Sequence, residues 1–392
     1  MDTEIVKLMR DAGDAPAIAR AGEVLRRGGL VAFPTETVYG LGGNALDPEA
    51  SRRIYAAKGR PSDNPLIVHI AEKEEICGVA REVPEAALRL MDAFWPGPMT
   101  LVLPKKDVIP RETTGGLDTV AVRLPSDEAA RALIRAAGVP VAAPSANASG
   151  RPSPTRAEHV IEDLSGRIEM ILDGGEVGIG IESTIIDLTG EEPEILRPGR
   201  ITREMIRQVC GSVAVDPAVT AAPDPDVRPR APGMKYRHYA PKAPLTVFAG
   251  EPEKVAAEIV KRCREEISAG GCVGVLCSEE SLSVYGALAE EFRGGSGVQT
   301  NAVEGPERAA SVDHMPQEGT YAARGEGSRI FPVCLGKRGD TAAAAHRLYR
   351  ALREFDGMGV TRIFAEMPEE RDFSEALINR LLKAAGYNVI PV

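Results

Sequence analysis

Short apolar runs alternate along this chain with longer stretches whose apolar residues recur at helical spacing. Residues 30–33, 66–70, 100–103, 119–123, 141–143, 170–172, 183–187 and 194–196 read as strands. Between them the periodicity predicts helices over 15–27, 48–57, 84–94, 127–137 and 202–209. The pattern breaks at 216–243, a proline-rich stretch with almost no apolar periodicity, too long for a routine connection inside a compact domain. A second series then begins, with strands at 245–248, 273–276, 330–335 and 362–365 and helices at 252–268, 279–293, 341–354 and 374–385. Residues 294–324 interrupt it as a long polar loop. The expected organisation is an α/β domain over 1–215, a linker over 216–243, and a second, smaller α/β domain over 244–392. The linker's aromatic and basic stretch 233–242 is expected to act as an active-site lid. Regular strand–helix alternation in the second domain predicts a mostly parallel, Rossmann-like sheet with right-handed crossovers. It has no GxGxxG turn, so dinucleotide binding is not supported.

Composition narrows the function classes. The 392 residues are 43% apolar and 27% charged, with a formal net charge of −10. Acidic residues outnumber basic ones on both sides of Val215, which argues against stable binding to nucleic acid or to an anionic membrane surface. Six scattered cysteines include no CxxC pair and read as buried, reduced thiols. No apolar signal core opens the chain and no run is long enough to span a bilayer, so a cytoplasmic location is expected.

The chemistry-bearing residues sit at strand ends. FPTETVYGLG (33–42) closes an apolar strand with a proline, then offers Thr35, Glu36, Thr37 and Tyr39 among glycines that let a ligand approach the backbone. YAAKGRPSDNPL (55–66) carries Lys58, Arg60 and Asn64 just past a helix; by itself a K-G-R triplet is usually a solvated turn. His69 lies in the apolar strand LIVHI, where a satisfied core histidine is the ordinary reading. VAAPSANASGRPS (141–153) brings Ser145, Asn147 and Ser153 to a turn able to cradle phosphate oxygens, or simply to form an Asx turn. GIGIESTIID (178–187) sets Ser183 at a strand start, and LRPG leaves Arg197 at a strand end. In TVAVRLP, Thr119 and Arg123 share a strand whose buried charge requires an anionic partner.

Taken together, the ordered motifs PTETVYGLG, K-x-R with NPL, S-x-N with SG, GxxSTIID and LRPG closely resemble the YrdC-like threonylcarbamoyl-AMP synthases. PGMKYRHYAP (232–241), HRLYRALREFD and ERDFSEALINRLLKAA extend the resemblance to that family's long, two-domain form. The resemblance implies a YrdC-like twisted, open, mixed sheet in the first domain. It also implies a nucleotidyltransferase that condenses L-threonine, bicarbonate and ATP, with Mg²⁺, into threonylcarbamoyl-AMP and pyrophosphate. A downstream tRNA threonylcarbamoyl transferase complex, met transiently, would receive the product.

By motif position, Lys58 and Arg60 would neutralise phosphates, and Ser145 and Asn147 would hold phosphate and the carbamoyl adenylate. Asn64, Thr119, Ser153, Arg197 and Tyr236 would surround the nucleotide. Thr37, His69, Arg123 and Ser183 would bind threonine, with Arg123 the natural fork for its carboxylate. No all-protein carboxylate cage for a metal is visible in the sequence. The competing expectation is a non-catalytic RNA-binding module, against which the acidic balance counts. A carbamoyl-transfer domain of hydrogenase maturation would bring cysteine-rich zinc segments, which this sequence lacks.

Overall fold

The computed structural model describes residues 1–219, 229–234, 238–293, 327–370 and 373–392. In chain order the first series runs β1 (Glu4–Lys7), α1 (Ala15–Arg26), β2 (Val31–Phe33), β3 (Gly40–Asn44), α2 (Pro48–Lys58) and β4 (Ile67–His69). It continues through α3 (Ile76–Val79), α4 (Glu85–Phe94), β5 (Met99–Pro104), β6 (Thr119–Arg123), α5 (Glu128–Ala137) and β7 (Val141–Ala142). Then come α6 (Ala157–Leu164), β8 (Met170–Asp173), β9 (Thr184–Asp187), β10 (Glu194–Arg197), α7 (Arg203–Cys210) and β11 (Ala214–Val215). The second series comprises β12 (Leu245–Ala249), α8 (Pro252–Ser268), β13 (Val273–Cys277), α9 (Glu279–Glu291) and β14 (Ile330–Cys334). It ends with α10 (Thr341–Met358), β15 (Arg362–Glu366), α11 (Ser374–Ala384) and β16 (Val389–Pro391).

Eleven strands form one mixed sheet in the order β1-β8-β2-β3-β7-β4-β6-β5-β9-β10-β11. Five strands form a second sheet, β14-β13-β15-β12-β16, in which every pairing is parallel. Among the described residues no helix is long and apolar enough to cross a membrane. The six cysteines are all unpaired, but only Cys263, Cys277 and Cys334 are buried; Cys77 is exposed.

Strand β3 departs from the sequence expectation. Its residues GLGGN have low strand propensity and read as a loosened turn. The structure places them between β2 and β7, where a Cβ on Gly42 would come within 2.9 Å of both the Phe33 ring and Val141. Glycine is there because the neighbouring side chains fill the space. The short edge strands β1, β11 and β16 and the helix α6 also have no expected counterpart, since two to four strand residues carry little periodicity.

The first sheet is covered on both faces, by a core around Leu101, Val122 and Leu164 and by another joining α1 and α5 around Leu25 and Leu133. In the second sheet α8 and α9 cover one face and α10 and α11 the other. The α10–α11 core does not stop at the second sheet, because Val38 and Ile181 of the first series pack into it. Close contact is enforced at Gly180, with φ of 87°, where a Cβ would lie 2.5 Å from the His346 Cα on α10.

A set of polar contacts across this junction is buried. Arg380 of α11 is 0% exposed, and its Nε donates to Glu182 Oε2 at 2.8 Å. Its Nη2 donates to the Pro198 carbonyl at 2.9 Å, and its guanidinium lies 5.7 Å from the Tyr239 ring centroid. The Tyr349 hydroxyl donates to Glu182 Oε2 at 3.0 Å, and Ser153 Oγ donates to Oε1 at 2.5 Å. Despite the burial, which alone would raise it, the charges of Arg380 and Arg197 bring the Glu182 carboxyl down to about 2. On α10, Arg353 donates twice to the Pro152 carbonyl and pairs with the buried Asp163 at 2.7 Å.

Removing one partner of such a pair strands a charge in the interior. Arg380→Ala is therefore expected to cost about 3–5 kcal/mol of unfolding free energy in urea. Arg264→Ala, which breaks an exposed pair with Glu291, should leave stability nearly unchanged. Similar losses in the two variants would contradict the account.

Candidate active site

The cleft at the junction opens beside the strand ends that carry the sequence motifs, with free space of about 690 Å³ counted to its open mouth. Of the expected site residues, Lys58, Arg60, His69, Arg123, Ser145, Asn147, Ser153 and Arg197 line it. So do Thr35, Tyr39, Arg151, Glu182, Pro232, Gly233, His238 and Tyr239. Thr37 and Ser183 sit one contact behind the wall: Arg123 Nη2 donates to Thr37 Oγ1 at 3.0 Å, and Arg197 Nη2 donates to Ser183 Oγ at 3.2 Å. Asn64 is buried and its carbonyl accepts from Arg60 Nε at 3.3 Å. Thr119 is not brought to the wall. It opens β6 opposite Pro104, at the far end of the strand from Arg123. Tyr236 lies outside the described residues.

Local structure explains how the cations arrive. Helix α2 starts at the Asp47 cap, whose side chain accepts from Glu49 N, and ends at Lys58 because Gly59 turns left-handed. Lys58 then points inward, only 3% exposed, and its Nζ donates to the Ser145 and Asn147 carbonyls. In return, Ser149 N donates to the Lys58 carbonyl at 2.8 Å. The solvated-turn reading of K-G-R is thus overturned, because the lysine ties the Ser/Asn loop to the helix end. Within that loop Ser145 Oγ donates to Asn147 Oδ1 at 2.6 Å, and Asn147 Nδ2 donates to the Ala148 and Arg151 carbonyls.

Burial without a paired anion defines the electrostatics. Among the described residues no carboxylate forms an ion pair with Lys58, Arg60 or Arg197; all three are held by carbonyl or hydroxyl oxygens. Desolvation holds the Lys58 amine well below its ordinary range and brings Arg60 down to about 10. It also lowers Arg197. A bound anion would relieve that penalty in all three. Arg123 differs: its Nη2 is 2.7 Å from Glu36 Oε1. Yet both Glu36 oxygens and Arg123 Nε lack an aligned hydrogen bond. Proximity without alignment leaves the Arg123 fork partly unused.

Apart from Tyr239, which lies in the 233–242 segment expected to cover the site, several wall residues had no functional reading in the sequence. Glu182, Tyr239, Tyr349, Arg353, Arg380 and Lys383 complete the cleft or brace it. The Lys383 Nζ donates to the Gly233 carbonyl at 2.6 Å, and the Tyr239 and Tyr349 rings stack at 5.1 Å. A signal for some of them existed, since Arg353, Arg380 and Lys383 occupy apolar-face positions of amphipathic helices. The reasoning that required a partner for Arg123 applies equally to them.

Comparisons with known proteins cover both domains of the chain. A family model described as telomere recombination matches residues 23–199, and one described as threonylcarbamoyl-AMP synthase, C-terminal domain, matches 201–386. The threonylcarbamoyl-AMP synthase of Pyrococcus abyssi is 46% identical over 376 residues, spanning 95% of each chain. That of Bacillus subtilis is 44% identical, spanning 96% of this chain and 94% of its own. A shorter putative threonylcarbamoyl-AMP synthase from Mycobacterium tuberculosis is 38% identical over 194 residues, half of this chain and 89% of its own. The crystal structure of P. abyssi Sua5 complexed with L-threonine superposes with a TM-score of 0.82 at 43% identity, covering 100% of both chains.

His69 gives a test independent of turnover. Desolvation and the nearby Arg123 charge bring its imidazole down to about 3, and Nδ1 lies 3.1 Å from the Ile67 carbonyl. The folded value lies below the ordinary one, so protonation opposes folding. The stabilisation from keeping His69 neutral is complete above about pH 6.5 and is lost as pH falls toward about 3. NMR titration should find His69 neutral throughout pH 5–8, whereas a midpoint near 6.5 would contradict its burial.

Proposed function

The chain belongs to the threonylcarbamoyl-AMP synthase family, and on that premise we propose that it condenses L-threonine, bicarbonate and ATP to threonylcarbamoyl-AMP and pyrophosphate. The observation that carries this reading is the convergence of buried Lys58 and Arg197 and half-buried Arg60, unpaired with any described carboxylate, on one cleft. Bicarbonate, the amino-acid carboxylate, the carbamate and the triphosphate are all anions, and preorganised donors in a dry site suit their encounter.

The neutral threonine amine attacks the bicarbonate carbon, and loss of water leaves a carbamate. A carbamate oxygen then attacks the α-phosphorus, and the bond from that phosphorus to the pyrophosphate oxygen breaks. Lys58 keeps one ammonium hydrogen beyond its two carbonyl contacts, and together with Arg60 it would offset charge on the phosphates. Ser145, Asn147, Ser153, Asn64 and Arg197 would surround the nucleotide, with Thr119 and Tyr236 as more distant contributors. Arg123 would fork the threonine carboxylate beside Thr37, His69 and Ser183. A neutral His69 suits this arrangement, since an imidazolium would compete with Arg123 for the same anion.

No group of three or more His, Cys, Asp or Glu among the described residues could cage a metal. Mg²⁺ would therefore be held chiefly by the triphosphate, where it would neutralise charge. In this scheme 1–215 supplies the reacting groups, 216–243 forms a wall through Pro232, Gly233, His238 and Tyr239, and 244–392 braces that wall. The adenylate would pass to a downstream transferase acting on tRNA.

Pyrophosphate release by the purified protein is expected to require both threonine and bicarbonate, and equal release with either omitted would overturn the reading. Arg60→Ala should lower turnover on the order of 10²-fold or more while the protein stays folded. Lys58→Ala should do likewise and additionally cost about 1–3 kcal/mol of stability, because two buried carbonyls lose their donor. Wild-type turnover in either variant refutes these roles.

A further inference from the structure

A second crevice lies wholly within the second series, away from the junction. It opens over the C-terminal ends of β12, β13, β14 and β15, with about 850 Å³ of free space counted to its mouth. Its position follows from topology. Strands β13 and β15 are neighbours, but the chain leaves β13 into α9 on one face of the sheet and leaves β15 into α11 on the other. Diverging connections leave a gap above the strand ends, and in open α/β sheets that gap is where ligands bind.

The lining has two characters. Phe248, Leu276, Leu335, Met367 and Leu377 make an apolar slot. At one end stands Glu366, fixed by Ser278 N and Oγ at 3.0 Å each and by the Tyr285 hydroxyl at 2.9 Å, with lone pairs left to accept further donors. At the other end the loop 335–341 leads into α10, an 18-residue helix whose N-terminus is capped by Asp340, which accepts from Ala343 N at 2.9 Å. Two cations stand on this loop. Lys337 is exposed with no ion pair among the described residues, and Arg338 donates from its guanidinium to the Ser281 hydroxyl at 3.4 Å and from its backbone N to the Glu280 carboxylate at 3.0 Å. Asp340 and Glu369 also border the crevice, so a bare inorganic anion meets as much repulsion as attraction there.

We infer that this crevice is a second binding site, for a nucleoside phosphate, with the base in the apolar slot, ribose hydroxyls at Glu366 and phosphate at Lys337 and Arg338. The β12–α8 turn offers no phosphate cradle, because Gly250 there packs against the Val392 carbonyl, so the site takes one nucleotide and not a dinucleotide. Occupancy would reach the first cleft through shared helices. Thr341 and Ala344 of α10 line the crevice, and the same helix carries Tyr349 and Arg353 to Glu182 and Asp163. Leu377 of α11 lines it too, one turn before Arg380.

Hydrogen exchange of the full-length protein with and without ADP tests the site by location. ADP should slow exchange over 335–344 as well as around the first cleft. Lys337→Glu, an exposed change that the fold tolerates, should weaken ADP protection of 335–344 at least tenfold while leaving first-cleft protection in place. Ala344→Trp should abolish it by filling the slot. Protection confined to the first cleft, or protection of 335–344 unaltered by Lys337→Glu, would overturn the inference. So would equal protection by inorganic pyrophosphate, which has no base or ribose to fill the slot.

Discussion

The buried pairing of Glu182 with Arg380 is the constraint on which the rest of the structure depends. Glu182 belongs to the first series and sits beside the cleft, while Arg380 and the Tyr349 hydroxyl reach it from the second. Without Arg380 and Tyr349 that carboxylate would keep, among the described residues, only the Ser153 hydroxyl and the Arg197 charge, so the second unit stabilises the first unit's cleft wall. The same contact fixes Ser153, which donates to the other Glu182 oxygen, and through the Pro198 carbonyl it fixes the turn after Arg197. Two site motifs separated in sequence are thereby referred to one guanidinium.

The opposite electrostatic situation holds inside the cleft. Lys58, Arg60 and Arg197 are desolvated and, among the described residues, are held by carbonyl and hydroxyl oxygens and not by a carboxylate ion pair, which leaves each with attraction for an anion. Carboxylates are kept to the frame, where they are neutralised: Glu182 by Arg380, and Asp163 by Arg151 and Arg353. Lys58, Arg60 and Arg197 face the cleft without a carboxylate ion pair among the described residues, while paired carboxylates hold its walls, an arrangement suited to gathering several anionic reactants. His69, neutral beside Arg123, avoids adding a charge where a substrate carboxylate would have to be shared.

Much of this was legible in the sequence, for identifiable reasons. Long, strongly periodic helices such as α5 and α8 and apolar strands such as β5 and β13 announce themselves, and the ordered motifs pointed to one family. What stayed hidden was hidden physically. The glycines of β3 signal flexibility in a sequence, but here they answer to the bulk of Phe33 and Val141 on neighbouring strands. Lys58 resembles a surface residue until the carbonyls of Ser145 and Asn147, far along the chain, are seen to hold it. Thr119, expected beside the nucleotide, shares β6 with Arg123 but opens the other end of that strand, opposite Pro104. Glu182 was passed over beside Ser183 because its partners lie almost two hundred residues further on.

The central claim is that one interdomain cleft unites an amino acid, bicarbonate and ATP. It is tested most directly by mass spectrometry of the nucleotide products formed by the intact protein from ATP, threonine and ¹³C-bicarbonate. The account predicts a threonylcarbamoyl-AMP ion carrying the ¹³C label, absent when threonine is withheld. Formation of AMP or ADP alone, or of an adenylate without the label, would contradict it.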